Sequence, residues 1–242
     1  MAWYAYCIAE QRAFLAGARV RRPFAIPTLT GVEGSAVLGY PSGELVVVVS
    51  PYESGTLDQQ AALDHARVVS ECFRNTTVLP FRFGTVFDSD EALRRAVRAN
   101  RKSFLESVQQ LRGKAEMHLK LVVRDGAMKD LAESGIAPNV GMEYLTQLRE
   151  RAVIQRDRQS KAKSLSVQVH KLFNPLDEEV TCKKVTTGGF LIDIAHLIDS
   201  NSIEKYHNRY ANAARQLKNC EMVMSGPWPP YHFMRSKLRS VS

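Results

Sequence analysis

No apolar run in the sequence approaches the roughly 18 to 20 residues that a membrane-crossing helix needs. The longest clean one, Leu45 to Val49, is strand-sized. The amino terminus, Met1-Ala-Trp-Tyr-Ala-Tyr-Cys-Ile, has no basic region and meets Glu10 early, so no secretory signal and a cytoplasmic location are expected. Cysteine is sparse: Cys7, Cys72, Cys182 and Cys220 are widely scattered, with no CxxC and no Cys/His grouping at metal-ligand spacing. Reduced thiols packed as small apolar side chains are expected, with no metal or cofactor. GxSxG, a phosphate-binding Gly-Lys-Ser/Thr loop, GxGxxG after a strand and HExxH are missing too. His65, His118, His170, His196, His207 and His232 fall in different elements, none with a carboxylate at a telling spacing, although His196 follows Asp193. The densest acidic cluster, Asp177-Glu178-Glu179, lacks the Gly-rich loop of a calcium site and reads as a solvated turn. These absences argue against an enzyme.

What is present is ordinary globular material: 45% hydrophobic and 24% charged residues in 242, enough for one large domain or two small ones. A net charge of +8 favours acidic surfaces, whether nucleic acid, anionic lipid or acidic protein. The basic stretch from Arg149 to Lys163 spreads its charges around a helix without interleaved aromatics. That disfavours nucleic acid and leaves a solvated face or a contact for an acidic protein surface.

Residues 3–9 read as an aromatic strand, and residues 11–20 as a short helix ended by Arg21-Arg22-Pro23 and Pro27. Strands 36–40 and 44–50 form a hairpin over Pro41-Ser42-Gly43. Thr56 and Gln59 suggest a capping box for a helix with Ala62, Ala66, Val69 and Phe73 on its buried stripe. A strand over 77–87 leads into a helix over 89–111, which Gly113 stops. In the strand that follows, Ala115, Met117, Leu119, Leu121 and Val123 alternate with polar residues. A long helix over about 142–173, strands 180–186 and 190–196 joined at Gly188-Gly189, a helix carrying Ile203, Tyr206, Tyr210, Ala213 and Leu217, and a strand 220–224 complete the order.

From residue 114 this is β-α-β-β-α-β, which predicts a ferredoxin-like antiparallel sheet with helices on one face. The expected architecture is α+β in two domains: 1–112, of uncertain fold and including the connecting helix 89–111, and 113–242, ferredoxin-like and ending in a proline- and aromatic-rich tail.

Two motifs stand apart from generic core. In Leu79-Pro80-Phe81-Arg82-Phe83-Gly84-Thr85-Val86-Phe87, Pro80 removes a ladder donor and Gly84 permits a bulge or close backbone approach. Arg82 is a candidate anchor for an interdomain or partner carboxylate, set against a plain edge strand feeding a helix. In Gly226-Pro227-Trp228-Pro229-Pro230-Tyr231-His232-Phe233 the prolines stiffen the chain, while Trp228 and Tyr231 supply large surfaces with one polar atom each. An internal strap is favoured over a rigid partner contact. Arg82, Phe83, Gly84, Pro227, Trp228, Pro229, Pro230 and Tyr231 are therefore the candidate architectural or interface residues.

Both motifs resemble signatures of the GvpL/GvpF family of gas vesicle proteins. Leu111-Arg-Gly-Lys-Ala-Glu-Met-His-Leu-Lys is similar to the family's Gly-Lys-x-Glu strand, Gly141-Met-Glu-Tyr-Leu to its helix start, and Phe190-Leu-Ile-Asp to its later hairpin. His232-Phe233-Met234 stands where Ser-Phe-Val is more usual, and Phe81 where a smaller aliphatic residue is expected. The resemblance implies a two-domain accessory protein, associated with gas vesicles, that contacts the shell protein and other accessory proteins without catalysis or cofactor. A basic nucleic-acid-binding or general scaffold protein of the same fold is the alternative, and an enzyme with a cleft between its domains a third reading.

Overall fold

The computed structural model describes residues 1–15, 20–53, 55, 57–123, 149, 153, 156, 160, 163–173, 179–187, 189–217 and 220–234, with backbone alone at 123, 179–187 and 189–191. The chain forms two compact units, one of Met1–Glu116 with the segment from Pro227, the other Met117–Gly226.

In the first unit, strands β1 (Ala2–Glu10), β2 (Phe24–Thr30), β3 (Ala36–Ser42), β4 (Leu45–Tyr52) and β5 (Val78–Pro80) lie in the order β2-β3-β4-β1-β5, and β6 (Val86–Phe87) also pairs with β1. The neighbouring strands run antiparallel. The β4 run Leu45 to Val49 is buried at every position, as a strand covered on both faces requires. On one face helix α1 (Gln59–Asn75) brings Ala61, Val68, Val69 and Cys72 against Tyr4, Tyr6, Val46 and Val48. Helix α2 (Asp90–Leu111) buries Leu93, Val97, Phe104, Val108 and Leu111, as its spacing predicts. Its N-cap is Ser89, whose Oγ accepts from the Ala92 N–H, and Asp90 in its first turn accepts from the Trp3 indole at 2.5 Å. A β-bulge between Ala5 and Cys7 shifts the register of β1 against β4. The extra residue lets Tyr4 and Tyr6, then Cys7 and Ala9, all enter the α1 side of the core.

Several expectations change here. Of the helix expected over residues 11–20, Gln11–Ala13 make one 3-10 turn instead, and 16–19 lie outside the described residues. Pro27 does not break the chain but sits inside β2, an edge strand, where a missing N–H costs no ladder bond. The cap of α1 is Asp58, accepting from Ala61 N–H at 2.9 Å, while Thr56 lies outside the described residues. Of the stripe expected for α1, Val69 is buried and Phe73 packs partly buried against the core, whereas Ala62 and Ala66 give way to Ala61, His65, Val68 and Cys72 as the other buried positions. The single strand expected over 77–87 is two short strands separated by a turn.

The second sheet has the order β10-β7-β9-β8, from β7 (Lys114–Val123), β8 (Glu179–Thr187), β9 (Gly189–Asp199) and β10 (Cys220–Trp228). Strands β8 and β9 form an antiparallel hairpin with Val185 opposite Leu191 and Thr187 opposite Gly189. Residues 163–173 are helical (α3), as are residues 149, 153, 156 and 160; the rest of the helix expected over 142–173, with its Gly141 to Leu145 start, lies outside the described residues. Helix α4 spans Ile203–Gln216. Met117, Leu119 and Leu121 of β7 join Ile192, Ile194 and Ile198 of β9, Val169 and Phe173 of α3, Tyr206 and Ala213 of α4 and Met222 in one core. The strand expected over 220–224 continues to Trp228. Among the described residues no helix is long and apolar enough to cross a membrane.

Candidate functional site

Buried hydroxyls need partners, and β1 carries two of them, Tyr4 and Tyr6, both fully buried. The Tyr6 hydroxyl accepts from Val32 N–H at 2.8 Å and pairs with Ser50 Oγ at 2.8 Å. The Tyr4 hydroxyl accepts from Gly84 N–H at 3.3 Å, which leaves its proton for Nδ1 of His65 at 3.0 Å. A chain of hydrogen bonds thus runs from the glycine of the first motif, through β1, to α1. The Tyr4 and Tyr6 rings lie 5.0 Å apart, and His65 meets Tyr4 edge-on at 5.7 Å and Phe83 edge-on at 6.0 Å. Burial sets the chemistry of these groups: it holds the His65 imidazole down to about 4, with the Phe81 backbone working the other way, and pushes the Tyr4 phenol up to about 12 against the Gly84 N–H. His65 is thereby kept neutral, a structural acceptor rather than a proton carrier.

The first motif wraps around this network. Phe81 N–H donates to the Tyr6 carbonyl at 2.8 Å, and Ala5 N–H to the Thr85 carbonyl at 2.9 Å. Between these anchors the chain turns, the Arg82 carbonyl accepting from both the N–H and the Oγ1 of Thr85 at 3.1 and 2.7 Å. Gly84 adopts φ +81, a conformation that strains any residue with a side chain. Phe81 is buried, whereas Phe83 is 41% exposed. Arg82 is exposed and makes no side-chain hydrogen bond or ion pair with another described residue, so its contribution within the fold is its carbonyl.

The second motif docks on the same unit. Pro229 and Pro230 are buried, Tyr231 N–H donates to the Pro229 carbonyl at 2.8 Å, and Phe233 fills the interior at 6% exposure. The carboxylate of Glu116, 1% exposed, accepts His232 N–H at 2.8 Å and lies 2.6 Å from His232 Nδ1. Burial, then the charges of Cys7, Glu116 and Tyr4, push the Tyr231 phenol far up, although 38% of the residue as a whole is exposed. Pro227 is exposed and Trp228 43% exposed. The segment is an internal strap by its prolines, His232 and Phe233, and a surface by its Trp228. The first motif is thus anchored on β1 through Tyr4 and Tyr6, and the second on Glu116.

Sequence reasoning missed Tyr4, His65, Glu116 and His232. A lone histidine inside an apolar helical stripe was the available signal for His65. Glu116 falls at a polar position in the alternation of β7; the strap that holds it comes from 116 positions away, which no local pattern reveals. Asp193, noted only beside His196, lies 3.3 Å from His118 Nδ1, while the buried His196 ring pairs instead with the Tyr206 hydroxyl at 2.7 Å. Cys7 and Cys72 are buried free thiols; a hydrogen bond from Cys72, then burial, push the Cys7 thiol well up.

Comparison with known proteins accords with this architecture. The chain is 24% identical over 215 residues to gas vesicle protein L of Streptomyces sp. (strain CB03234), covering 79% of this chain and 80% of that one. Its fold is similar to the crystal structure of gas vesicle protein GvpF from Anabaena sp. PCC7120, with a TM-score of 0.76 at 16% identity over 98% of this chain and 97% of the other. GvpF from Microcystis aeruginosa is similar at TM-score 0.71 and 17% identity, over 97% and 99%. The family model for gas vesicle synthesis protein GvpL/GvpF matches residues 2–235, so the chain belongs to that family, which ties it to gas vesicle formation.

Proposed function

We propose that the chain is a non-catalytic accessory protein of gas vesicle formation, working in the cytoplasm at the growing vesicle by contacting the shell protein and other accessory proteins. The observation that carries this reading is the pair of braced motifs on the first unit. Each is fixed from beneath, by Tyr4 and Tyr6 or by Glu116, and each leaves an aromatic partly uncovered: Phe83 at 41%, Trp228 at 43% and Tyr231 at 38%. Rigid aromatics lose little conformational entropy on docking and are favoured at the centres of interfaces. Arg82, beside Phe83, adds an exposed cation suited to a partner carboxylate. We take Arg82, Phe83, Gly84 and Pro227 to Tyr231 as the contact surface and its support.

We also read the chain as two domains, about 1–112 and from 113 onward, with the strap returning to the first. The second sheet's order β10-β7-β9-β8 supports a ferredoxin-like C-terminal domain. A basic nucleic-acid-binding or general scaffold protein of this fold is the second reading, its nucleic-acid form favoured by the basic charge alone.

The test is a pull-down of native shell protein by the purified chain. Retention of shell protein, lost on Phe83→Ala with Trp228→Ala, is expected; no retention at low salt by the folded wild type would remove the proposal.

A further inference from the structure

Helices α3 and α4 of the second unit leave a cleft of about 570 Å³ between them. Its walls are basic and amidic: Lys171 from α3, and Lys205, Asn208, Arg209, Asn212 and Gln216 from α4. Lys205, Arg209, Asn212 and Gln216 advance by three or four residues, with Asn208 beside them, and so form one stripe along the helix, about 16 Å long at 1.5 Å per residue. Leu172 and Ala213 give the cleft a small apolar floor. Arg209 is held in place by a hydrogen bond from its Nη1 to the Leu172 carbonyl at 3.2 Å, which also ties α4 to the end of α3. Arg215, outside this lining, donates to Asn212 Oδ1. No carboxylate lines the cleft among the described residues.

We infer that this cleft docks an acidic helical segment of a protein partner, about three turns long, with carboxylates on one face and small apolar residues between them. The charge complementarity is direct: three cations, among the described residues no anion, and amides able to meet either a carboxylate or a peptide group. The spacing of the α4 stripe matches that of a helix laid beside it. Nucleic acid fits less well, because the aromatics of α4 that could stack on bases are turned inward: Tyr206 is buried against His196, and the Tyr210 hydroxyl donates to the Met222 carbonyl at 2.8 Å. This inference rests on the reading that the chain acts by protein contacts, and assigns part of the +8 charge to one surface.

Fluorescence anisotropy with the full chain tests it. The probe is a labelled alanine- and leucine-based helical peptide of about 15 residues with glutamates every third or fourth position. Controls are the same peptide with glutamines and an oligothymidine of about equal length. The glutamate peptide binds, the glutamine peptide binds at least about tenfold more weakly, and Lys171→Glu with Lys205→Glu weakens the glutamate peptide by at least about tenfold. Arg12→Glu with Arg74→Glu, the same charge change on the first unit, shifts it by about twofold or less. Equal losses in the two double variants would mean attraction by overall charge and overturn the inference. Tighter binding of oligothymidine, lost in the Lys171/Lys205 variant, would overturn it in favour of nucleic acid. Because Lys171 and Lys205 are exposed, folding is checked by an unchanged melting curve, and the glutamine peptide tests the charge requirement without any variant. A cleft that fails these tests while shell protein is still retained defeats this inference alone.

Discussion

Glu116 binds His232 twice, through the backbone N–H at 2.8 Å and the ring Nδ1 at 2.6 Å, and so fastens the strap to the start of β7. The carboxylate is 1% exposed and the imidazole side chain 27%, so solvent screens this pair much less than a surface ion pair. Glu116→Ala is expected to cost about 2–3 kcal/mol and His232→Ser about 1–2 kcal/mol. The double variant should cost less than the sum, since both changes remove one shared interaction. Urea unfolding of the three variants measures this; strict additivity would show that the two residues act separately.

Gly84 combines a positive φ with an N–H given to Tyr4. An added Cβ would meet Leu57 at 3.5 Å, ordinary contact, so the cost of Gly84→Ala comes from the backbone and is about 1–2 kcal/mol. Tyr4→Phe keeps the packing but strips both Gly84 N–H and His65 Nδ1 of their partner, and should cost about 1–3 kcal/mol. Thermal melts of both variants check these values, and a neutral Tyr4→Phe would contradict the hydrogen-bond chain.

Acid should weaken the fold through its buried histidines. His65 and His196 are each lowered from 6.5 to about 4, in both cases chiefly by burial. Between those values the unfolded chain takes up protons that the folded chain refuses, so stability rises with pH across the window and is lost as pH falls through it. Each contributes a loss of about 2 kcal/mol between about pH 7 and about pH 5. His65→Gln, which keeps an acceptor for Tyr4, should flatten the pH dependence of the urea midpoint; an unaltered slope would contradict the burial account.

Trp228 is 43% exposed, so Trp228→Ala should cost about 1–2 kcal/mol, below the roughly 3–5 of a fully buried tryptophan. Its larger effect should be on shell-protein retention. A variant that melts several degrees lower yet retains shell protein fully would assign Trp228 to the fold rather than to a contact.

Where periodicity is set by neighbours in the chain, the sequence was transparent. Helix α2, starting near Ser89 with Leu93 to Leu111 inward, is readable, as are the β3–β4 hairpin over Gly43 and the alternation of β7. The two motifs were also visible, because clustered proline, glycine and aromatics are rare in regular elements. What stayed hidden depends on distant partners. His65 is tolerated in the stripe of α1 because Tyr4 meets it, Pro27 is tolerated in β2 because that strand is an edge, and Glu116 is buried because His232 returns to it. The β1 bulge was equally invisible, since it exists only in the register against β4.

The role in vesicle formation is tested most directly by counting gas vesicles by electron microscopy in a vesicle-forming host after deletion of this gene, with and without its return. Vesicles should be lost or sharply reduced, restored by the wild-type chain, and poorly restored by Phe83→Ala with Trp228→Ala although that variant folds. Normal vesicle numbers in the deletion strain would contradict the account.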